Sequence, residues 1–520
     1  MQQSQSKQQV GGILGFIERI GNKIPDITIL FISAFILVCV VSAVLAQIHF
    51  NYVHPATGRP IEITNMLSGK ALVDLMSKMV TNYANFPPLS MVIVATLGIG
   101  IADGSGYINT GLKKILSITP KVLITPVVIL VGMLSHLGPD SGYVIIIPIA
   151  AYMFYAVGKH PLAGIAASFA GIAGAFAANY TPSAIDPVIQ GFTQSAAQII
   201  DPGYQVNVLC NYFYAFASTF IVIGACWWVT EKITNPWLWK ACPLDDDLDL
   251  GNENNSSITP SENRAFKIAT AVLLLMLTGL AAALYPADSI LRAPDGVIAS
   301  FKAPIMQSIV SLIFIFAALV GLVYGIACGK FKSPKDVTAA MEEITKTLVQ
   351  LIVFYFFAAQ FLYAFGASNM GALIAVSGAE FLKSLNLPPQ VTVFGIIVFV
   401  ALLNLIITSA SAKWAILAPI FVPMLMAVGI APELTQVAFR VSDSAVNVVT
   451  PMFAFYPLII LYCQKYVKNA GIGTLSSMML PYTIALLVSL TFMLYLFWWL
   501  VYYHWGSRQI MFIRDGFNDQ

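Results

Sequence analysis

Charge is what this chain has least of. Only 10% of its 520 residues are Asp, Glu, Lys or Arg, whereas a soluble globular domain carries roughly a quarter. That scarcity excludes a water-soluble fold. The 27 basic and 25 acidic residues nearly cancel, leaving +2, and no basic block interleaved with aromatics occurs. Nucleic acid is therefore excluded as a partner. Histidine is rare, and the 6 cysteines (Cys39, Cys210, Cys226, Cys242, Cys328 and Cys463) form no CxxC and no cluster with histidine. Neither a disulfide framework, nor a metal site, nor a cofactor is expected. HExxH and GxSxG are absent, and GIACGK at 325–330 is one residue short of phosphate-loop spacing and lacks the following Ser or Thr, so the chain is not expected to be an enzyme. The opening residues, MQQSQSKQQVGGILGFIERIGNKIPD, are polar for too long and carry no small-residue cleavage site. They are expected to be a cytosolic lead, residues 1–27, rather than a signal peptide.

What the chain has instead is oil. It is 58% hydrophobic with a mean hydropathy of +0.79, which predicts an all-α polytopic membrane protein. Apolar runs near the roughly 20 residues a bilayer requires fall at 28–48, 87–111, 161–185, 207–230, 267–286, 304–328, 346–370, 433–463 and 479–502, about nine transmembrane helices. A cytosolic N-terminus places Lys113, Lys114, Lys121, Lys159, Lys232, Lys330, Lys332, Lys335, Lys465 and Lys468 inside. Only Arg59, Lys70, Lys78, Arg292, Lys302 and Lys383 then lie outside, as basic residues prefer the cytosolic face. Two halves, 28–230 and 267–503, are joined by a polar, acidic loop at 231–266 that reads as a flexible cytosolic connector, and a periplasmic tail follows at 504–520.

Two segments do not fit as spans. Residues 122–158 are apolar except at SHLGPDSG (135–142), yet both flanks, Lys121 and Lys159, read as cytosolic; residues 391–429 are their counterpart, interrupted at TSASAK (408–413). Each reads as a re-entrant hairpin whose tip faces an internal path, because non-helical backbone at membrane depth needs protein or water around it. The two share a motif: PIAAYMFYAVGKHP (148–161) and PIFVPMLMAVGIAP (419–432) both fit PIxxxMxxAVGxxP, 271 positions apart. An odd number of expected crossings lies between them, so the repeat is inverted. After each hairpin comes a span broken by polar residues and proline, NYTPSAIDP at 179–187 and RVSDSAVNVVTP at 440–451. Inverted repeats with interrupted helices mark secondary transporters, with the site near the midplane.

Charges at that depth are functional candidates by default. They are Asp140 and Lys413 at the tips, Asp186 in the first broken span, and Arg440 with Asp443 in the second. Arg440 and Asp443 are three apart, so one helix face carries both and they are expected to pair. Asp186 has no cation near it in sequence; burial favours the neutral form of a carboxyl, which makes it a candidate proton carrier. Lys413 either lines a watery cavity and attracts an anion or snorkels to water. Asn179, Thr181, Asn404, Ser409, Ser411, Asn447 and Thr450 surround the breaks, able either to bind a solute or ion or to cross-link helices. Tyr143 and Trp414 hold matching positions in the repeat, each able to pack or to stack on a substrate ring.

ERIGNKIP (18–25), SAKWAILAPIFVPMLM (411–426), FRVSDS (439–444) and GTLSSMMLPY (473–482) resemble the AbgT family of bacterial p-aminobenzoyl-glutamate transporters and drug-efflux relatives, over essentially the whole chain. The resemblance implies a homodimer in the inner membrane, nine transmembrane helices and two hairpins per subunit. It also implies transport of p-aminobenzoyl-glutamate, or export of sulfonamide antimetabolites driven by the proton motive force. Its functional positions fall on Asp186, Asn404, Ser411, Trp414, Pro432, Arg440 and Asp443; Lys413, Tyr143 and Asp140 rest on the residue reading alone. The rival is a sodium-coupled dicarboxylate carrier of similar hairpin architecture, with Asn404 and the tip hydroxyls holding Na⁺.

Overall fold

The computed structural model describes residues 26–54, 57–135, 141–183, 185–245, 258–298 and 300–504. Asp140, the N-terminal lead up to residue 25, residues 246–257 of the connector and the tail from 505 lie outside them. The described chain is helical, with one isolated bridge between Val53 and Pro60. In order, the helices are α1 Ile27–Leu45, α2 Gly69–Ala84, α3 Pro87–Ser105, α4 Tyr107–Ser117, α5 Ile124–Leu134, α6 Ser141–Ala156, α7 Pro161–Ile172, α8 Ile185–Ala197, α9 Tyr212–Val229 and α10 Asn235–Ala241. They continue as α11 Pro260–Leu284, α12 Ile309–Cys328, α13 Pro334–Lys346, α14 Val349–Ala367, α15 Met370–Ser384, α16 Pro389–Asn404, α17 Ala410–Met426, α18 Pro432–Val446, α19 Tyr456–Gln464 and α20 Ile472–His504. Among the described residues seven helices are long and apolar enough to cross a membrane, or nine if each of two sharply bent pairs counts as one.

The repeat is visible element by element. A 19-residue helix opens each copy, α3 and α14. A short helix follows, α4 or α15, and the chain then turns through 119° or 117° into the first arm of a hairpin. The arms are α5 and α6 in the first copy, α16 and α17 in the second. A broken helix comes next, α7 with α8 and α18 with α19, and one long helix, α9 or α20, closes each copy.

The shared motif explains why both hairpins return alike. Pro148 and Pro419 lie inside α6 and α17, each lacking an N–H for the helical ladder. Gly158 and Gly429 adopt φ of 78° and 84°, the left-handed conformation that terminates helices. The N–H after each glycine closes the same wide turn, Lys159 to the Phe154 carbonyl and Ile430 to the Leu425 carbonyl, both at 2.9 Å. Pro161 and Pro432 then begin α7 and α18 at the position where a missing N–H costs nothing. So Pro432, whose role the resemblance left open, starts the helix that carries Arg440 and Asp443.

Both arms of the first hairpin pack on α7, which presents Gly164, Ser168 and Gly171 in PLAGIAASFAGI. A Cβ on Gly171 would lie 2.5 Å from the Ile129 carbonyl oxygen, and one on Gly164 would lie 2.4 Å from that of Ala150. Small residues let helix backbones meet in this way without a hydrophobic driving force. In the second hairpin α16 packs on α18, while α17 packs on α8 of the first half as well as on α15 and α18. The second hairpin therefore straddles the two halves.

Three features differ from the sequence expectation. The amphipathic α2 was not anticipated; GKALVDLMSKMVTNYA interleaves polar with apolar residues and so holds no apolar run to find. α4 and α15 were not anticipated as helices, since only 107–111 of the one and residue 370 of the other fall inside an expected span; left-handed residues at Gly106 and Asn369 separate both from the helices before. The connector is structured at both ends: a π-turn at Thr230–Thr234 leads into α10, and α11 starts at Pro260. Asn235 there accepts the His160 N–H at 2.9 Å, and Asp245 bonds Tyr466 and Lys468. These described ends bond to the body of the protein, and the middle of the connector, 246–257, lies outside the described residues.

Candidate functional site

A cavity of about 520 Å³ lies where both hairpin tips meet both broken helices. Ser135 and Tyr143 reach it from the first hairpin, Thr408, Ser409 and Ser411 from the second, and Asn179, Ser183, Asp443 and Asn447 from the breaks. Phe176, Phe453 and Phe455 supply aromatic wall. Tyr143 stacks on Phe455 with centroids 4.2 Å apart and planes 6° from parallel. Its described lining thus offers hydroxyls, amides, ring faces and the Asp443 carboxylate.

The expected Arg440–Asp443 pair does not form; each residue is paired elsewhere. On α18 the two share a face, but Arg440 meets Asp186 of the first half, Nη1 to Oδ1 at 2.7 Å, and its Nη2 donates to the Phe176 carbonyl at 3.0 Å. Asp186 therefore has its cation, supplied from 254 positions away, a distance at which sequence proximity says nothing. Its other oxygen accepts the Ser183 N–H at 2.7 Å and hydroxyl at 3.0 Å. Ser-x-x-Asp at 183–186 is a helix-start signature, and a carboxylate in the first turn of α8 suits the helix dipole. This pair borders a hollow of about 10 Å³ that shares Asn179 with the main cavity, room for about one water.

Asp443 is paired with Lys413, Nζ to Oδ1 at 2.6 Å, and both side chains are 0% exposed. Lys413 neither snorkels to water nor borders the cavity, so both sequence readings of it are corrected. Its ammonium also donates to the Asn404 carbonyl oxygen. The Asn404 amide donates to the Asp443 backbone carbonyl at 2.9 Å and to Asn447 Oδ1 at 3.2 Å, and Asn447 donates to Asp443 Oδ2 at 3.1 Å. The network closes on itself. Beside it, Thr450 donates to the Leu405 carbonyl at 2.8 Å, one of the carbonyls left free where α16 ends at the tip.

Trp414 is fully buried and lies behind the cavity wall. Its indole N–H donates to Thr193 Oγ1 at 2.8 Å, and its ring stacks on Phe439 at 4.5 Å. The Thr193 hydroxyl donates to Gln436 Oε1 at 2.6 Å, and the Gln436 amide donates to Asn211 at 2.6 Å. This relay stitches the second hairpin to α8, α18 and the start of α9; the sequence held no signal for Thr193 or Gln436. Glu433 was also passed over, although it falls inside an expected span: it sits in the first turn of α18, where the Tyr204 hydroxyl donates to it at 3.0 Å.

Residues 12–512 match the family described as "AbgT putative transporter family". The chain belongs to the AbgT family. The AbgT member described as the p-aminobenzoyl-glutamate transport protein of Escherichia coli (strain K12) is 33% identical over 498 residues, covering 95% of this chain and 96% of that one. Among solved AbgT structures, the YdaH transporter of Alcanivorax borkumensis superposes with a TM-score of 0.85 at 36% identity, over 91% of this chain and 98% of that one. MtrF of Neisseria gonorrhoeae, described as illuminating a class of antimetabolite efflux pumps, superposes with a TM-score of 0.87 at 40% identity, over 93% and 97%. This AbgT chain is accordingly a multi-pass membrane transporter with two re-entrant hairpins in an inverted repeat.

Proposed function

We propose that the chain is a proton-coupled secondary transporter, not an enzyme, working as a homodimer in the bacterial inner membrane with its N-terminus in the cytosol. Its cargo is p-aminobenzoyl-glutamate and related aromatic amides or sulfonamide antimetabolites. The observation that carries this reading is the cavity between the tips, with ring faces for an aminobenzoyl group and an arginine–aspartate pair one residue behind its wall. Tyr143, Phe176, Phe453 and Phe455 take the aromatic ring, and Ser411 and Asn179 take its amide and amine. Trp414 acts from behind by holding the tip. Arg440 is the natural partner for a substrate carboxylate, but Asp186 holds it. A proton on Asp186 Oδ1 removes the counter-charge and frees the guanidinium for the substrate, so proton uptake and cargo binding favour each other.

The Lys413 ammonium supports protons over sodium. It lies between the Asn404 carbonyl oxygen and the Asp443 carboxylate, ligands of the kind a sodium ion would use, so the protein already carries the cation there. Uptake into proteoliposomes tests the coupling. A protonophore should abolish accumulation while replacement of sodium by choline leaves it intact; collapse in choline alone would overturn proton coupling.

A further inference from the structure

We propose that a basic recess at the foot of the first hairpin holds the phosphate headgroup of an anionic phospholipid, one of whose acyl chains lies in the adjoining groove between α9 and α20. The recess, about 640 Å³, is bordered by Lys121, Lys159, Lys232, Glu231 and the indoles of Trp227 and Trp228. Its single carboxylate is already committed: Glu231 is ion-paired with Lys159 and accepts the Thr125 hydroxyl at 2.6 Å. Lys121 and Lys232 make no ion pair among the described residues. The recess thus carries two uncompensated positive charges in a protein that has few.

A groove of about 580 Å³ meets it at Trp228, which borders both. Ala225, Val229 and Ile233 form one wall, and Leu480, Ile484 and Val488 of α20 form the other. Trp228 is 59% exposed, and Ile484 and Val488 are 57% and 62% exposed. Indoles prefer the membrane–water interface, so this pair marks the depth at which headgroups lie. A basic recess at headgroup depth that opens into an oily groove matches a molecule with a phosphate at one end and a hydrocarbon chain at the other. A soluble anion would use only the recess.

The location gives the site a consequence. Lys121 opens the turn that leads into α5, and Lys159 follows the left-handed Gly158 that ends α6. A phosphate between them ties both feet of the first hairpin to α9, and the tip of that hairpin lines the cavity.

Native mass spectrometry of the full-length protein, released from micelles holding equal amounts of phosphatidylglycerol and phosphatidylcholine of the same chains, tests this. Wild type should retain phosphatidylglycerol at least five-fold more than phosphatidylcholine. A K121Q/K232Q variant, which leaves the Lys159–Glu231 pair intact, should lose that preference while melting at the same temperature in phosphatidylcholine. I484W, which fills the groove, should lose the lipid too. Equal retention of the two lipids by wild type, or undiminished preference in K121Q/K232Q, would overturn the site. Glycerol 3-phosphate that binds as well as the lipid would overturn the acyl groove and leave a soluble-anion site. A change in oligomeric mass without a change in lipid would show that a second copy of the chain covers this face.

Discussion

A lysine with no water around it must find its counter-charge in protein, and Lys413 finds it in Asp443, with both side chains fully buried. Breaking such a pair on one side leaves a stranded charge, which costs about 3–5 kcal/mol, whereas removing both partners is far milder. Lys413→Met is therefore expected to lower the melting temperature sharply in detergent, and Lys413→Met with Asp443→Asn to recover most of it. A single variant that melts like wild type would show that the pair does not hold the tip. The neighbouring Trp414 separates packing from substrate contact. Trp414→Phe keeps a ring to stack on Phe439 and loses the bond to Thr193, worth about 0.5–1.5 kcal/mol, together with part of the buried indole's packing, so it should keep most transport. Trp414→Ala should cost about 3–5 kcal/mol and abolish transport; loss of transport in the phenylalanine variant without loss of stability would return Trp414 to the substrate. That charges lie at these depths was legible in the sequence. Their partners were not, because Lys413, Asp186, Arg440 and Asp443 meet only through helix packing.

Hairpins, breaks and the repeat were legible because each has a local cause. Left-handed glycine, helix-starting proline and a polar tip between two oily arms are all short-range chemistry. The short helices α4 and α15 were not, since Lys113 and Lys114 in one and Glu380 and Lys383 in the other break the apolar run and make those stretches read as connections. Glycine substitutions test the elements by two different routes. A Cβ added to Gly429 would meet nothing within 4 Å, but the residue's φ is 84°, so Gly429→Ala should cost roughly 1–2 kcal/mol from backbone strain alone. Gly171 has an ordinary φ but meets the Ile129 backbone. Gly171→Ala must push α5 away from α7, and it should reduce transport as well as stability because the first tip moves with its arm. Thermal melts beside uptake assays distinguish the two; Gly171→Ala that transports normally would show that the α5–α7 contact does not set the tip.

Across the whole molecule the scaffold is symmetric and the chemistry is not. At the motif's offset of 271 positions Lys413 corresponds to Gly142, and Arg440 and Asp443 to Phe169 and Ile172. One half supplies most of the charge, and Asp186 of the other answers it. That cross-half pair gives the last prediction. Asp186→Asn leaves Arg440 buried and unpaired, so the variant should melt below wild type. A substrate carboxylate then restores the missing charge, and ligand binding to the native state raises its stability. p-Aminobenzoyl-glutamate should therefore raise the melting temperature of Asp186→Asn by more than it raises that of wild type. A sulfonamide, which has the aniline ring but no carboxylate, should shift both alike. Equal shifts from p-aminobenzoyl-glutamate in the two proteins would show that its carboxylates bind elsewhere than Arg440, and the exchange of Asp186 for cargo would have to be abandoned.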